Sequence, residues 1–166
     1  MSSITQTRGT VNVLAVTALA NLADSATVGW KSVAVDNTST GAIDYEIFVK
    51  LTMANSAPAA PKAAYVYICP AYYDGSTWYY TDGGTATLPS SADAGYTIAT
   101  PNDLRLGMIL NYTTQQMVLQ GSFTLSSIFG QTMPDGFIII IVNDTGAAVA
   151  ASGNVVAVTP ITLTIT

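Results

Sequence analysis

Histidine is absent from the 166 residues, and with it goes the side chain most often used as a general base and as a metal ligand. Ser–His and Cys–His nucleophile pairs are thereby excluded. A zinc site would have to be assembled from carboxylates and the single cysteine, a ligand set outside the usual ones. That cysteine, Cys69, permits no intramolecular disulfide. In YVYICPAYY it ends an apolar run beside Pro70, the setting of a buried small hydrophobe rather than of a reactive thiol. Charge is scarce as well: Asp, Glu, Lys and Arg make 9% of the chain, against about 25% in an average globular protein. The five cations, Arg8, Lys31, Lys50, Lys62 and Arg105, are scattered and the net charge is −5. No basic stripe exists to neutralise phosphates, so no nucleic acid is expected as a direct partner. Long apolar runs are missing too. The most strongly apolar, Phe137 to Val142, has the length of a strand and falls far short of the roughly 18 residues of a membrane-spanning helix, so no membrane is expected as a partner either.

What is present is apolar, small and hydroxylated. Mean hydropathy is +0.40 and 49% of residues are hydrophobic, which leaves Thr, Ser, Asn, Ala and Gly to build the surface. The length suits one domain able to bury about 70% of its unfolded surface without disulfide or metal. Alternation of period two dominates. In IDYEIFVKLTM, Ile43, Tyr45, Ile47, Val49, Leu51 and Met53 fall on one face, with Asp44, Glu46, Lys50 and Thr52 on the other. Phe48 interrupts the polar face, which is therefore expected to be partly covered. TVGWKSVAVDN precedes this strand; KAAYVYIC, LRLGMILNY, QMVLQGSFTLSSI, GFIIIIV and NVVAVTPITLTIT follow it. Residues 88–103, with Pro89, Gly95 and Pro101, read mainly as a long loop. The run Phe137–Val142 reads as a central strand buried on both faces, ending in an Asn-Asp-Thr-Gly turn. About eight strands and no convincing amphipathic helix predict an all-β fold, a single antiparallel β-sandwich of jelly-roll type.

Residues 1–26 imitate a secretory signal, with Arg8, an apolar stretch 11–20 and Ala18-Leu19-Ala20, but Asn12 and Thr17 interrupt the stretch. The expectation is an uncleaved N-terminal arm, 1–26, docked on its own domain or on a neighbour, followed by a sandwich domain, 27–166. Arg8, Val11, Val13 and Leu14 are its candidate anchor residues.

Without histidine, the chemistry that remains open is that of paired carboxylates, as in glycosidases. Asp44 and Glu46 share a strand face, while Asp74, Asp82, Asp93 and Asp103 lie in loops; a solvated face and turn-forming aspartates are the simpler account of both. No calcium-loop spacing is present. No catalytic residue, cofactor or metal ligand is therefore assigned. Three Asn-x-Ser/Thr triplets, at Asn37, Asn111 and Asn143, arise readily in so threonine-rich a chain. The most prominent feature is PAYYDGSTWYYTDGG, where Asp-Gly pairs suited to turns bracket a strand. Tyr72, Tyr73, Trp78, Tyr79 and Tyr80 can form a platform for sugar or protein contact, or pack across a hairpin over the sandwich end.

Two stretches carry a family resemblance. FIIIIVNDTGAAVAASGNVVAV, an apolar strand followed by Asn143 to Ala148 and the small-residue link 150–154, is similar to the C-terminal part of small tailed-bacteriophage virion proteins. VGWKSVAVDNTSTGAIDYEIFVKLTMANSAPAAPKAAYVYICPAYYDG resembles their N-terminal half, a strand ending in Asp-Asn ahead of DYEIFVKLT and a second ending in an Asp-Gly loop. The chain thus resembles capsid decoration, or cement, proteins with a jelly-roll fold, over roughly 28–158. The resemblance implies a structural, non-enzymatic virion protein on the capsid exterior, with the major capsid protein as partner, stiffening the shell by bridging capsomers. A homo-oligomer is implied too, with a trimer suggested by the threefold sites of capsids. The same patterns occur in phage tail and head-fibre subunits. A carbohydrate-binding module using the aromatic loop 72–80 is the other reading.

Overall fold

The period-two segments become strands in a computed structural model that describes residues 3–58, 63–81, 85–86, 93–98, 104–130 and 132–165. In chain order they are β1 (Ile4–Arg8), β2 (Asn12–Val13), β3 (Val28–Lys31), β4 (Val35–Asp36), β5 (Asp44–Thr52), β6 (Ala63–Tyr73), β7 (Trp78–Tyr80) and β8 (Thr85–Ala86). There follow β9 (Ala94–Thr97), β10 (Arg105–Asn111), β11 (Val118–Thr124), a single-turn helix α1 (Ser126–Phe129), β12 (Gly136–Asp144) and β13 (Val155–Ile165). One sheet runs β1-β13-β5-β11, with β2 also against β13. In the other, β6 and β12 form the centre; β7 and β10 flank β6, β3 and β4 flank β12, β8 extends β7, and β9 lies outside β3.

Every pairing is antiparallel, and the principal strands nest: β1 with β13, β3 with β12, β5 with β11, β6 with β10. The pairs β13·β5 and β12·β6 then roll this long double ribbon into two facing sheets. First with eighth, second with seventh, third with sixth and fourth with fifth is the wrapping of a jelly roll. The expected all-β sandwich is the fold observed.

Between the sheets lies the main core. Tyr45, Ile47, Val49 and Leu51 of β5 and Val156 and Val158 of β13 meet Val66 and Ile68 of β6 and Phe137, Ile139 and Ile141 of β12. The Tyr45 and Phe137 rings meet edge to face at 5.2 Å, a favoured aromatic geometry. Leu14 and Leu19 are buried in this same core, and Leu14 N–H donates to Val156 at 2.9 Å. The N-terminal segment is thus built into the sandwich from β1 to Leu19.

The isoleucine run has the predicted double burial, for a specific reason. Its odd residues face the other sheet; Ile138, Ile140 and Val142 point the opposite way, into a second cluster with Cys69 and Leu104. Tyr65, Tyr67, Tyr80, Tyr96 and Ile98 pack over that cluster, several of them from the long β6–β10 connection. A polar outer face would be needed if that connection left the sheet open to water; covered, β12 is apolar on both sides. Asp93 pins the cover, its carboxylate accepting from the Trp30 indole and, at 3.1 Å, from Ala18 N–H.

Two local expectations change. Within the region read as a long loop, residues 94–97 form β9, which pairs with the outer edge of β3. The strand expected across 116–128 stops at Thr124, where Asp44 accepts from Ser126 N–H at 2.9 Å and its hydroxyl at 2.6 Å and starts the α1 turn. The second Asp-Gly turn, at 82–84, lies outside the described residues.

Candidate interaction surfaces at one end of the sandwich

The β6–β7 hairpin is built around Asp74. One carboxylate oxygen accepts from the N–H groups of Ser76 and Thr77, both at 2.8 Å, and from the Ser76 hydroxyl at 3.0 Å. The other accepts from the Tyr79 phenol at 3.1 Å. These donors, Thr77 and Ser76 first, hold the Asp74 carboxyl at about 2, below its ordinary 3.8. Gly75 sits at φ +99°, open to a residue without Cβ. The predicted Asp-Gly turn is therefore present, and it fixes the register Tyr72↔Tyr79 and Tyr73↔Trp78.

That register divides the five aromatics. Trp78 is buried; Tyr73 stacks on it at 4.9 Å and 27°, and the Trp78 six-membered ring lies over Gly136, where a Cβ would come within 2.6 Å. Tyr80 packs on the outer cluster of β12. Tyr72 and Tyr79, cross-strand partners on the opposite face, are 56% and 47% exposed. The aromatic segment thus splits into a packing half, with Trp78 inside it, and a solvent-facing tyrosine pair. Period two assigns residues to two faces but does not say which face the rest of the fold covers.

At the same end β1 and the last part of β13 form a two-stranded ribbon. All five residues of β1 and residues 163–165 are exposed. Ile4↔Ile165, Gln6↔Leu163 and Arg8↔Ile161 share one face; Thr5↔Thr164 and Thr7↔Thr162 share the other. One side is largely aliphatic, with Ile4 68% and Ile165 72% exposed, and the reverse is pure threonine. Arg8 bonds Glu46 of β5 through Nε at 3.0 Å and Nη2 at 2.5 Å, tying the ribbon root to the sheet. Of the other candidate anchors, Val11 and Val13 are exposed and Leu14 is buried. Ile4, Leu163 and Ile165 were not singled out in the sequence, although ITQT and ITLTIT share the same threonine alternation.

Elsewhere the polar groups have structural tasks. Asp24 accepts from Gly146 N–H, Asp36 from Thr38, Asp135 from Tyr73 N–H, and Asp44 from Ser126. Among the described residues no cluster of three Asp, Glu or Cys side chains is placed to hold a metal ion. Asp82 and Asp103 lie outside those residues. Two open grooves, between 16–20 and 151–154 and between 109–111 and 117–120, are lined by no ionisable side chain. Asn143 is fully buried, donating to Leu22 and Ala147 carbonyls at 3.1 and 2.7 Å, and Asn37 bridges Ala42 and the Tyr45 phenol. Neither side chain is open to glycosylation; Asn111 is exposed. No helix of the described residues is long and apolar enough to cross a membrane.

Comparison with protein-family models, with curated proteins and with solved structures finds no match to this chain.

Proposed function

We propose that the chain is a structural virion protein of a tailed bacteriophage, seated on the capsid exterior, where it binds the major capsid protein and stabilises the shell by bridging capsomers. The observation that carries this reading is the β1/β13 ribbon, whose aliphatic face is uncovered by the rest of the fold. Surface of this kind, at about 25 cal/mol per Å² removed from water, is a source of adhesion that needs no charged partner. Arg8 is already paired with Glu46, so covering the ribbon buries a compensated ion pair rather than a lone cation. Carboxylates engaged in turns and strand ends fit an adhesive role better than a catalytic one. A homo-oligomer is part of the same proposal, with a trimer suggested by the threefold sites of a shell.

The test is a quantitative peptide inventory of virions purified from cultures that produce the chain. Copies in equal or simple-fraction ratio to the major capsid protein are expected. A few copies per particle would move the chain to the tail or a head fibre, and absence from the particle would overturn the reading. Leu163→Asp combined with Ile165→Asp should lower occupancy on the shell without unfolding the protein, since both side chains are exposed.

A further inference from the structure

On the β6–β7 hairpin the rings of Tyr72 and Tyr79 lie outside the core; the Tyr79 phenol donates to Asp74 at 3.1 Å and leaves its ring face open. Tyr72 and Tyr79 are direct cross-strand partners, which places their Cβ atoms about 5 Å apart on one face. Both rings are about half exposed. Behind them the Tyr73–Trp78 stack and the Asp74 turn hold the hairpin in one shape, so presenting the two rings to a ligand costs little further ordering. Beside the rings, the Asp74 oxygen bonded to the Tyr79 phenol accepts one hydrogen bond, against three on its neighbour. A carboxylate oxygen has room for a further donor.

The chemistry of the patch selects a ligand class. Aromatic faces carry negative charge density and attract the weakly positive C–H groups of a sugar's apolar face. Ionised Asp74 accepts hydroxyl hydrogens and repels anions. Residues 71–81 contain no lysine or arginine to attract a phosphate, sulfate or sialic acid. Two rings side by side on one hairpin face make a platform rather than the enclosure that a quaternary ammonium or guanidinium group uses. We infer that this face is a binding site for a neutral β-1,4-linked oligosaccharide, whose equatorially substituted rings present the flat, extended apolar face that two rings side by side can stack against, with a hydroxyl hydrogen-bonded to Asp74. Trp78, the residue most suggestive of sugar stacking in the sequence, serves as the buried support. The inference is independent of capsid attachment and goes beyond it.

Calorimetric titration of the full-length chain with cellohexaose and with chitohexaose tests it. One of the two should bind with a dissociation constant of about 1 mM or tighter, near −4 kcal/mol. Tyr72→Ala and Tyr79→Ala should each weaken it about tenfold, while Tyr79→Phe keeps the stacking and most of the affinity. Asp74→Asn should weaken binding while preserving the stacking contribution. Absence of binding to both sugars, affinity in the two alanine variants unchanged from that of the parent, or tighter binding of choline or free arginine would each overturn the assignment. So would alanine variants that reduce attachment to capsids while the parent binds neither sugar, an outcome that makes the pair a protein contact.

Discussion

Replacing Ile140 by alanine isolates the feature that sets this sandwich apart from a sheet with one wet face. Ile140 points away from the inter-sheet core, into the cluster of Cys69, Leu104, Ile138 and Val142. It is fully buried only because the β6–β10 connection covers it. The substitution removes three carbon groups, about 2.4 kcal/mol of transfer free energy at about 0.8 each. The cavity left behind adds on the order of 1 kcal/mol, giving about 3.5 kcal/mol. Ile139→Ala, in the main core, should cost a similar amount. At about 2 kcal/mol per molar of urea, each variant should move the unfolding midpoint down by about 1.7 M, and the melting temperature by about 10 °C. Equilibrium urea unfolding followed by far-UV circular dichroism measures both. If Ile139→Ala loses the expected stability and Ile140→Ala loses less than about 1 kcal/mol, the outer face of β12 is solvated and the account of the second cluster is wrong.

A Cβ on Gly29 would sit 2.4 Å from the Ile141 carbonyl oxygen on β12, whereas one on Gly95 of the adjacent β9 meets nothing within 4 Å. Gly29→Ala should therefore cost about 1–3 kcal/mol and Gly95→Ala should be near neutral, a contrast readable from thermal melts of the two variants side by side. The Asp74 carboxyl should titrate with a midpoint near 2 rather than 3.8 in a carboxyl-carbon NMR titration. Because its native value is depressed, its contribution to the hairpin is complete above about 3.8 and is lost as pH falls through about 2; a midpoint at 3.8 would mean the turn bonds are absent. Removing residues 1–10 should leave a cooperative melt, since every residue of β1 is exposed, while removing 1–26 should abolish it by taking Leu14 and Leu19 from the core. A folded, cooperative product of the longer truncation would contradict the integration of that segment.

Much of the architecture was legible because period two is a local signal. The alternation in IDYEIFVKLTM maps directly onto β5, with Tyr45, Ile47, Val49 and Leu51 inside and Phe48 half-covered. The all-apolar GFIIIIV announced a strand with two dry faces, and Asp74-Gly75 a hairpin turn. What was not legible depends on contacts distant in sequence. β9 is four residues of a region read as loop, and it is a strand because the edge of β3 offers backbone partners to it. Trp78 and Tyr79 are neighbours of similar aromatic character; one is buried because Gly136, 58 positions along the chain, leaves room for an indole above it. The other lies on the opposite face of the hairpin, which the described residues leave about half exposed.

The same asymmetry governs the ribbon. ITQT and ITLTIT look alike as sequences, and pairing them antiparallel puts isoleucine beside isoleucine and threonine beside threonine, so the two ends of the chain together create an amphipathic surface that neither end contains alone. β1 is also the edge of its sheet, bonded to β13 on one side only. Exposed edges in natural proteins are usually blunted by lysine, proline or a bulge. β1 carries none of the three. Its one charge, Arg8, is turned back onto Glu46 and does little to repel a neighbour. A two-stranded ribbon with an aliphatic side and an unblunted edge is marginal on its own in water and is stabilised by whatever covers it. The features that make the ribbon unfavourable as a free surface are the ones that the proposed adhesive role would use.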